Sequence, residues 1–237
     1  MRALAICLAL VAAPAIAQEA VTADYVRPTN AYGHGALLDG EFEGLRVTFS
    51  DGSEREIHVR SGVFEDTAPR LYDFDGDGAP EIVTVFSTNV GGAMIQIWGA
   101  GGGKLTIVGQ NRPIGQRHRW LSIAGIADFD GDGLPEIAYI DRPHLTKELV
   151  LLEVEPAEDR LHISEIARVA GLTNHHYGAS VIEGGVRTCD GAAPVIVTAD
   201  ADWSQIVETR YEGDTITHEA VAPYQGSDSF APYLACD

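Results

Sequence analysis

One acidic ten-residue segment occurs twice in this chain and constrains its fold more than any other feature. It reads DFDGDGAPEI at residues 73–82 and DFDGDGLPEI at residues 128–137, and RTCDGAAPVI at residues 187–196 is a fainter third copy. When the copies are aligned on their prolines, they lie 55 and 59 residues apart. This spacing is typical of one propeller blade and is too long for most solenoid repeats.

Each copy lies among short segments with β-strand character, which are separated by turns rich in Gly, Asp and Pro. Around the second copy these segments are SIAGIAD, EIAYID, ELVLLEV and LHISEIA. The corresponding segments are PRLYDFD, EIVTVFS, AMIQIWG and KLTIVGQ for the first copy, and VIEGGVR, PVIVTAD, QIVETRY and ITHEAVA for the third. Upstream, HGALLDG, GLRVTFSD and REIHVR predict a shorter, degenerate first unit.

Four strands in each unit predict an all-β fold. Because radially repeated sheets cover each other's faces, we expect a small β-propeller of about four four-stranded blades, the first of them degenerate. The predicted domain is single and spans residues 18–237. Its blade-like units are residues 25–62, 66–112, 119–170 and 176–222, followed by a C-terminal closing tail at 223–237.

The first 17 residues have the features of a cleavable secretory signal peptide. One basic residue, Arg2, precedes an apolar stretch that ends in small residues at Ala17. We therefore expect a mature chain that begins at about Gln18 and is periplasmic or secreted. The apolar stretch is shorter than the roughly 20 residues that a membrane-spanning helix needs, so we expect no membrane span.

Cys189 and Cys236 remain once the signal peptide is removed. An even number of cysteines in an exported chain predicts a disulfide, which would tie the C-terminal tail to the last blade. In the proline alignment, Arg187 and Cys189 replace the first and second Asp of the acidic segment. We therefore expect a covalent link where the other two copies have acids.

The chain is strongly acidic. It has 16 basic and 35 acidic side chains and a net charge of −19, which becomes −20 when Arg2 leaves with the signal peptide. A surface of this charge repels phosphate backbones, so we expect no nucleic-acid partner. The same charge opposes self-association, and we expect a monomer.

The acidic segments have the composition of cation-binding loops. D-x-D-x-D-G supplies carboxylates at alternate positions and a Gly for the sharp turn, and oxygen ligands without His or Cys suit Ca²⁺. An EF-hand is not expected, because Thr84 and Tyr139 stand where its bidentate Glu would be and β-rich segments follow. We predict about two structural calcium ions, held by Asp73, Asp75, Asp77 and Glu81 and by Asp128, Asp130, Asp132 and Glu136.

The motif D-x-D-G-D-G-x-x-E followed by an apolar strand, recurring at blade spacing, resembles the FG-GAP/VCBS repeats of integrin α-chain propellers and of many exported bacterial proteins. The resemblance covers two units well, roughly residues 60–170, and a third weakly. It implies that each acidic loop joins the first two strands of a blade and holds a structural Ca²⁺. It implies no ion in the third copy.

The remaining unusual side chains collect at one predicted end of the blades. In an up-and-down blade, the connections between blades and the loops between the second and third strands emerge opposite the calcium loops. Loops at one end of a rigid scaffold commonly carry binding residues. The predicted ligand-binding face contains His34, Glu65, Asp66, Arg117, His118, Trp120, Arg142, His144, His175, His176, Asp200, Asp202 and Trp203.

Several interpretations of this face remain open. Its residues are structural, plugging the propeller entrance, or they bind a ligand. His34, His118 and one of His175 or His176, with Glu65 or Asp66, also have the chemistry of a transition-metal or acid–base site. No sequence motif identifies catalytic residues.

Two functions follow from these features. The first is a non-catalytic, calcium-stabilised propeller module that binds an extracytoplasmic protein or glycan through this face. The alternative is an exported hydrolase or lyase with a His/carboxylate site on the same face.

Overall fold

The protein is described by a computed structural model that covers residues 19–101 and 104–236. The predicted signal peptide (residues 1–17) and the expected first residue of the mature chain, Gln18, lie outside the described residues. Within the described ranges, no helix combines the length and apolar character that a bilayer crossing requires.

The described chain is all-β apart from a short C-terminal helical segment, as predicted, and its strands form three antiparallel sheets. The first sheet has the order β1-β2-β4-β6-β7-β8, with β3 paired to β2 and β5 paired to β6. Its strands are β1 (Ala20–Pro28), β2 (Glu41–Phe49), β3 (Glu54–His58), β4 (Gly62–Glu65), β5 (Arg70–Tyr72), β6 (Glu81–Thr88), β7 (Gly92–Gly101) and β8 (Lys104–Gln110).

The second and third sheets each contain one later copy of the repeat. The second has the order β12-β11-β10-β9, and the third has the order β13-β15-β16-β17 with β14 paired to β15. Their strands are β9 (Leu121–Ala127), β10 (Glu136–Asp141), β11 (Glu148–Ala157), β12 (Arg160–Ala170), β13 (Leu172–Thr173), β14 (Gly185–Arg187), β15 (Val195–Asp200), β16 (Gln205–Glu212) and β17 (Thr215–Pro223). A 3₁₀ turn (Ser227–Phe230) and helix α1 (Ala231–Leu234) end the described chain.

The sheets pack against each other in chain order, and this packing explains the apolar strands that follow the acidic segments. Ile95 and Ile97 of the first sheet share one core with Ile123 and Leu152 of the second. A second core joins the second sheet to Ile196 and Val207 of the third. Strands β6, β10 and β15 are buried over almost their whole length, so they lack the alternation of a strand with one solvated face.

The N-terminal unit differs from the prediction. HGALLDG is not a strand, and β2 joins the first sheet by pairing Glu41 and Phe42 with Glu65 and Phe64 of β4. The predicted first unit therefore has no sheet of its own, and the described residues contain three sheets, none of which is closed. The predicted units end at residue 62 and resume at residue 66, so they leave out most of β4, whose four residues are all buried and pair with both β2 and β6.

The first and third sheets meet through loops instead of strands. The backbone N–H of Leu38 donates to the carbonyl of Ala179 (3.1 Å), and that of Gly178 donates to the carbonyl of Ala36 (2.9 Å). The Tyr177 hydroxyl donates to the carbonyl of His34 (2.7 Å). We call these contacts the clasp, because they bring residues 34–38 and 177–179 together.

Gly92, at the start of β7, supports the connection between β8 and β9. Its φ is +72°, and a Cβ there would lie 2.2 Å from the carbonyl oxygen of Gln116 and 2.8 Å from that of Arg119. We expect Gly92→Ala to lower the free energy of unfolding by about 2–3 kcal/mol through left-handed strain and this clash, measured as a shift in urea midpoint. Gly101→Ala, in the same strand with nothing within 4 Å, is the control, and an equal effect of the two variants would contradict this account.

Candidate functional site: the acidic loops and the histidine pocket

The two acidic loops have nearly the same internal hydrogen bonds. In the loop between β5 and β6, the Asp73 carboxylate accepts from the backbone N–H groups of Gly76 (2.8 Å) and Gly78 (3.0 Å). In the loop between β9 and β10, Asp128 accepts in the same way from the N–H groups of Gly131 and Gly133. The repeated sequence therefore folds into a repeated turn whose shape is fixed by its first Asp.

Each loop brings three carboxylates together. Oxygen atoms of Asp73, Asp75 and Glu81 lie within 4.8 Å of one another, and the same holds for Asp128, Asp130 and Glu136. The other two predicted ligands are not in these groups. Asp77 accepts from the N–H of Ala79 (2.7 Å), and Asp132 accepts from that of Leu134 (2.7 Å).

The surroundings of Glu81 and Glu136 indicate whether a cation fits the acidic loops. Glu136 is fully buried, and its Oε2 accepts from the N–H of Phe129 (2.8 Å), but its Oε1 has no partner. Burial raises the pKa of Glu136 to about 7, and the neighbouring Asp130 and Asp128 add to the effect. Burial and Asp75 likewise raise the pKa of Glu81 to about 7. A buried carboxylate oxygen without a donor costs stability, and a divalent cation supplies the missing positive partner.

The third copy is built differently. Arg187 pairs with Val195 as Tyr72 pairs with Glu81, so Thr188 follows its strand at the position of Asp73. The proline alignment, which set Arg187 and Cys189 on the first two Asp positions, is therefore wrong on the upstream side, because this loop is one residue shorter. The predicted Cys189–Cys236 disulfide is present, with a Cα–Cα distance of 5.7 Å, and ties the tail to the third sheet.

The histidine-rich connections lie at the opposite end of the sheets from the acidic loops. Strand pairing in the second sheet places Leu121 beside Asp141 at one end and Ala127 beside Glu136 at the other. Trp120 and Arg142 therefore flank the first end, while the second acidic loop occupies the other. This is the separation that the up-and-down reading predicts.

Side chains from four separate connections meet at this end around a cavity of about 230 Å³. His34 and His118 stack with ring centroids 5.2 Å apart, and Tyr177 contacts both His34 and His144 edge-on. We call this cavity the histidine pocket; it is lined by His34, His118, Arg119, Trp120, Arg142, Pro143, His144, Leu145 and Tyr177.

Buried groups behind the pocket fix how each histidine is protonated. Glu65 is fully buried, with Oε1 2.6 Å from His34 Nδ1, while Ser87 Oγ donates to its Oε2. His118 Nε2 lies 2.9 Å from the carbonyl of Tyr32. Because a carboxylate and a carbonyl only accept, His34 carries its proton on Nδ1 and His118 carries one on Nε2. Trp120 Nε1 donates to the Glu65 carbonyl (2.7 Å) and holds the same wall.

His144 is oriented by a chain of two imidazoles. His175 Nε2 donates to the carbonyl of Ala179 (3.2 Å), which leaves His175 Nδ1 to accept from His144 Nε2 (3.0 Å). Burial, with the neighbouring His175 and His34, lowers the pKa of His144 to about 4. Burial also lowers the pKa of His175. His144 is therefore a neutral imidazole at pH 7.

Five other members of the predicted ligand face lie outside the histidine pocket. Asp66 is buried in an ion pair with Arg70 (2.5 Å). His176 stacks on Trp203 at 3.7 Å in a separate cluster that includes Tyr224. Asp200 accepts from Ser204 and Gln205 within its own turn, beside the exposed Asp202.

The others adjoin the pocket or form its wall: Arg117 over the ring of Tyr32, and Glu65 and His175 behind the histidines.

The sequence places Arg119 between His118 and Trp120, in the same predicted connection, and the structure puts it in the pocket lining. The sequence analysis does not single out Tyr177 or the supporting Tyr32 and Ser87. The signal for Tyr177 is its position directly after His175 and His176 in the same connection. Nothing in the sequence indicates Ser87, which reaches Glu65 from another strand.

Comparison with known proteins identifies a repeat family. The family of FG-GAP-like repeats matches residues 58–139, a segment that runs from the end of β3 into β10 and includes both acidic loops. No curated protein matches the chain. The chain therefore contains FG-GAP-like repeat sequence in residues 58–139.

Proposed function

We propose that this protein is an exported, calcium-stabilised, propeller-like module that binds a protein or glycan without catalysis. One observation carries the proposal. Four connections distant in sequence place aromatic and basic side chains around a single pocket, at the end of the sheets opposite the acidic loops. Convergence of this kind on rigid strands is typical of a binding site.

The surroundings of the pocket support an interaction surface. Of the seven large hydrophobic residues that are exposed in the described chain, Leu145 and Tyr177 line the pocket. Leu38 belongs to the clasp, and Val181 lies two residues after Ala179 of the clasp in the sequence. Exposed apolar side chains grouped in one region indicate a contact surface.

The proposed calcium ions have an architectural role. Asp73, Asp75 and Glu81 would hold one ion, and Asp128, Asp130 and Glu136 would hold the other. A bound ion supplies positive charge to a buried, otherwise unsatisfied carboxylate and fixes the hairpin between two strands. The three face-to-face sheets support a radial, propeller-like arrangement, with the N-terminal strands as the proposed degenerate unit.

Export is supported by the signal-like N-terminus and by the disulfide, because disulfides persist in oxidising compartments. We propose a periplasmic or secreted monomer. Metal analysis of protein purified from the periplasm is expected to find about two calcium ions per chain. A single tightly held transition metal, lost in His34→Ala or His118→Ala, would contradict the proposed binding module.

The alternative, a hydrolase or lyase, is favoured by one observation. The buried Glu65 orients His34 through Nδ1, as a carboxylate orients a general base. We expect that neither the wild-type protein nor His34→Ala cleaves any member of a panel of oligosaccharides and peptides. His58→Ala, which changes an exposed histidine paired with Glu43, is the control. Product formation that is abolished by His34→Ala and Glu65→Gln, but not by His58→Ala, would establish the enzyme instead.

A further inference from the structure

The histidine pocket is lined by basic, aromatic and apolar residues, in contrast to the acidic composition of the whole chain. None of its nine described lining residues is acidic, although the chain has a net charge of −19. Three carboxylates that contact lining residues are buried and engaged: Glu65 by His34 and Ser87, Asp141 by Arg142 and Arg168, and Glu41 by the backbone N–H groups of Gly33 and His34. The open side of the pocket therefore favours an anionic group.

Arg119 is the cation best placed to meet that group. Arg142 is held by a bidentate contact to Asp141 (2.8 Å for both nitrogen atoms), which offsets its charge. Arg119 has one hydrogen bond, from Nη1 to the carbonyl of His118 (3.0 Å). Its charge is not offset by that neutral acceptor, so the guanidinium can pair with a carboxylate.

The pocket also presents hydrogen-bond acceptors. The contacts described above place a proton on His34 Nδ1, His118 Nε2 and His144 Nε2, and in this single-proton tautomer the other nitrogen of each ring carries a lone pair. Lone pairs of this kind accept from hydroxyl groups. A carboxylate alone would leave these acceptors unused, whereas a hydroxylated acid uses them together with Arg119.

Size and shape limit the ligand further. A cavity of about 230 Å³ is smaller than the roughly 300–1,000 Å³ of drug-sized pockets, so it accommodates one ring-sized group. Tyr177 is 63 % exposed at the pocket and supplies aromatic surface, whereas Trp120 is buried in the pocket wall. The C–H face of a sugar ring packs on an exposed aromatic ring of this kind.

Backbone strain at the pocket supports a functional role. His118 and Arg142 both have left-handed backbone conformations, with φ of 57° and 47°. Such conformations cost about 1–3 kcal/mol in residues other than glycine and collect at binding sites.

We propose that the histidine pocket binds one acidic sugar residue, a pyranose that carries a carboxylate, in a glycan. This inference rests on the proposed binding function and narrows its ligand. Arg119 pairs with the carboxylate, the imidazoles accept from ring hydroxyls, and Tyr177 packs on the ring. An acidic peptide would supply the charge but would lack the ring hydroxyls.

Calorimetric titration with defined oligomers tests the proposal. The probes are oligomers of galacturonate, glucuronate and mannuronate, their methyl esters, and tetra-aspartate. We expect at least one acidic oligomer to bind, and its methyl ester to bind about tenfold more weakly or worse, equivalent to about 1.4 kcal/mol. Affinity for the acid should fall as salt is raised, because the contact is partly exposed.

Matched variants locate the site. Arg119→Ala and Tyr177→Ala are each expected to weaken acidic-oligomer binding about tenfold or more. Arg112→Ala, which changes an exposed arginine in the same connection, should leave it unchanged. Circular dichroism and melting temperature confirm that each variant is folded.

Four results would overturn the acidic-sugar assignment. Equal affinity for acid and ester would leave a glycan-binding module without the charge preference. Arg119-dependent binding of tetra-aspartate, with no oligosaccharide bound, would assign the pocket to a protein partner. Binding of the acidic oligomer that survives both Arg119→Ala and Tyr177→Ala would place the site elsewhere. Absence of binding to every probe would reject both this inference and its glycan basis.

Discussion

Chelation of calcium is expected to lower the melting temperature of this protein by about 6–12 °C. At free calcium tenfold above its dissociation constant, each site adds about 1.4 kcal/mol, and two sites add about 3 kcal/mol. Without the ion, Glu136 keeps a buried carboxylate oxygen with no donor, beside the carboxylates of Asp128 and Asp130. The measurement is thermal unfolding followed by circular dichroism, with calcium and then with a chelator.

Single-loop variants separate the two sites. Asp75→Ala or Asp130→Ala should each remove about half of the calcium-dependent stabilisation. Asp190→Ala is the matched control, because the described residues of the third loop have no such group of carboxylates. If chelation leaves the wild-type melting temperature unchanged, or if Asp130→Ala keeps the full calcium effect, the architectural role is wrong.

Loss of the Cys189–Cys236 disulfide should lower the free energy of unfolding by at least as much as loss of both calcium ions. The sequence separation is 47 residues, and the chain-entropy account gives about 4 kcal/mol for a loop of this length. The link also holds a tail whose Phe230 is buried against Val195, Val197 and Ile206. We expect the double variant Cys189→Ser, Cys236→Ser to unfold at a clearly lower urea concentration than the wild type.

Reductant provides the control for this variant. A thiol reductant should shift the wild-type urea midpoint toward that of the double variant and leave the variant itself unchanged. A wild-type midpoint that stays the same after full reduction, verified by thiol titration, would mean that Phe230 and the Arg187 contact to the Tyr233 carbonyl (2.7 Å) hold the tail without the link.

Strands formed by contiguous residues were predictable from the sequence. EIAYID and KLTIVGQ coincide with β10 (Glu136–Asp141) and β8 (Lys104–Gln110), because turn residues bound a short apolar or β-branched segment on both sides. Strand β4 was not predictable, since it is four residues long and ends in Glu65. Its pairing with β2 and β6 depends on residues far along the chain, which periodicity does not encode.

The candidate sites also differ in whether they depend on contiguous or on distant residues. The acidic loops need only local sequence, and the carboxylates of Asp128, Asp130 and Glu136 meet within nine residues. The histidine pocket depends on packing between sheets, so its residues were chosen by loop position alone. That rule included His176 and Trp203, which stack on each other elsewhere, and it omitted Tyr177.

Because of the clasp, the histidine pocket forms only after both the N-terminal and the C-terminal parts of the chain are present. Tyr177 and the His34 carbonyl that it contacts are 143 residues apart, whereas each acidic hairpin closes over a few residues. During synthesis from the N-terminus, both acidic hairpins emerge before Tyr177, which lines the pocket. A polypeptide that ends after the second sheet would contain both acidic loops but would lack Tyr177. It would therefore not form the complete histidine pocket.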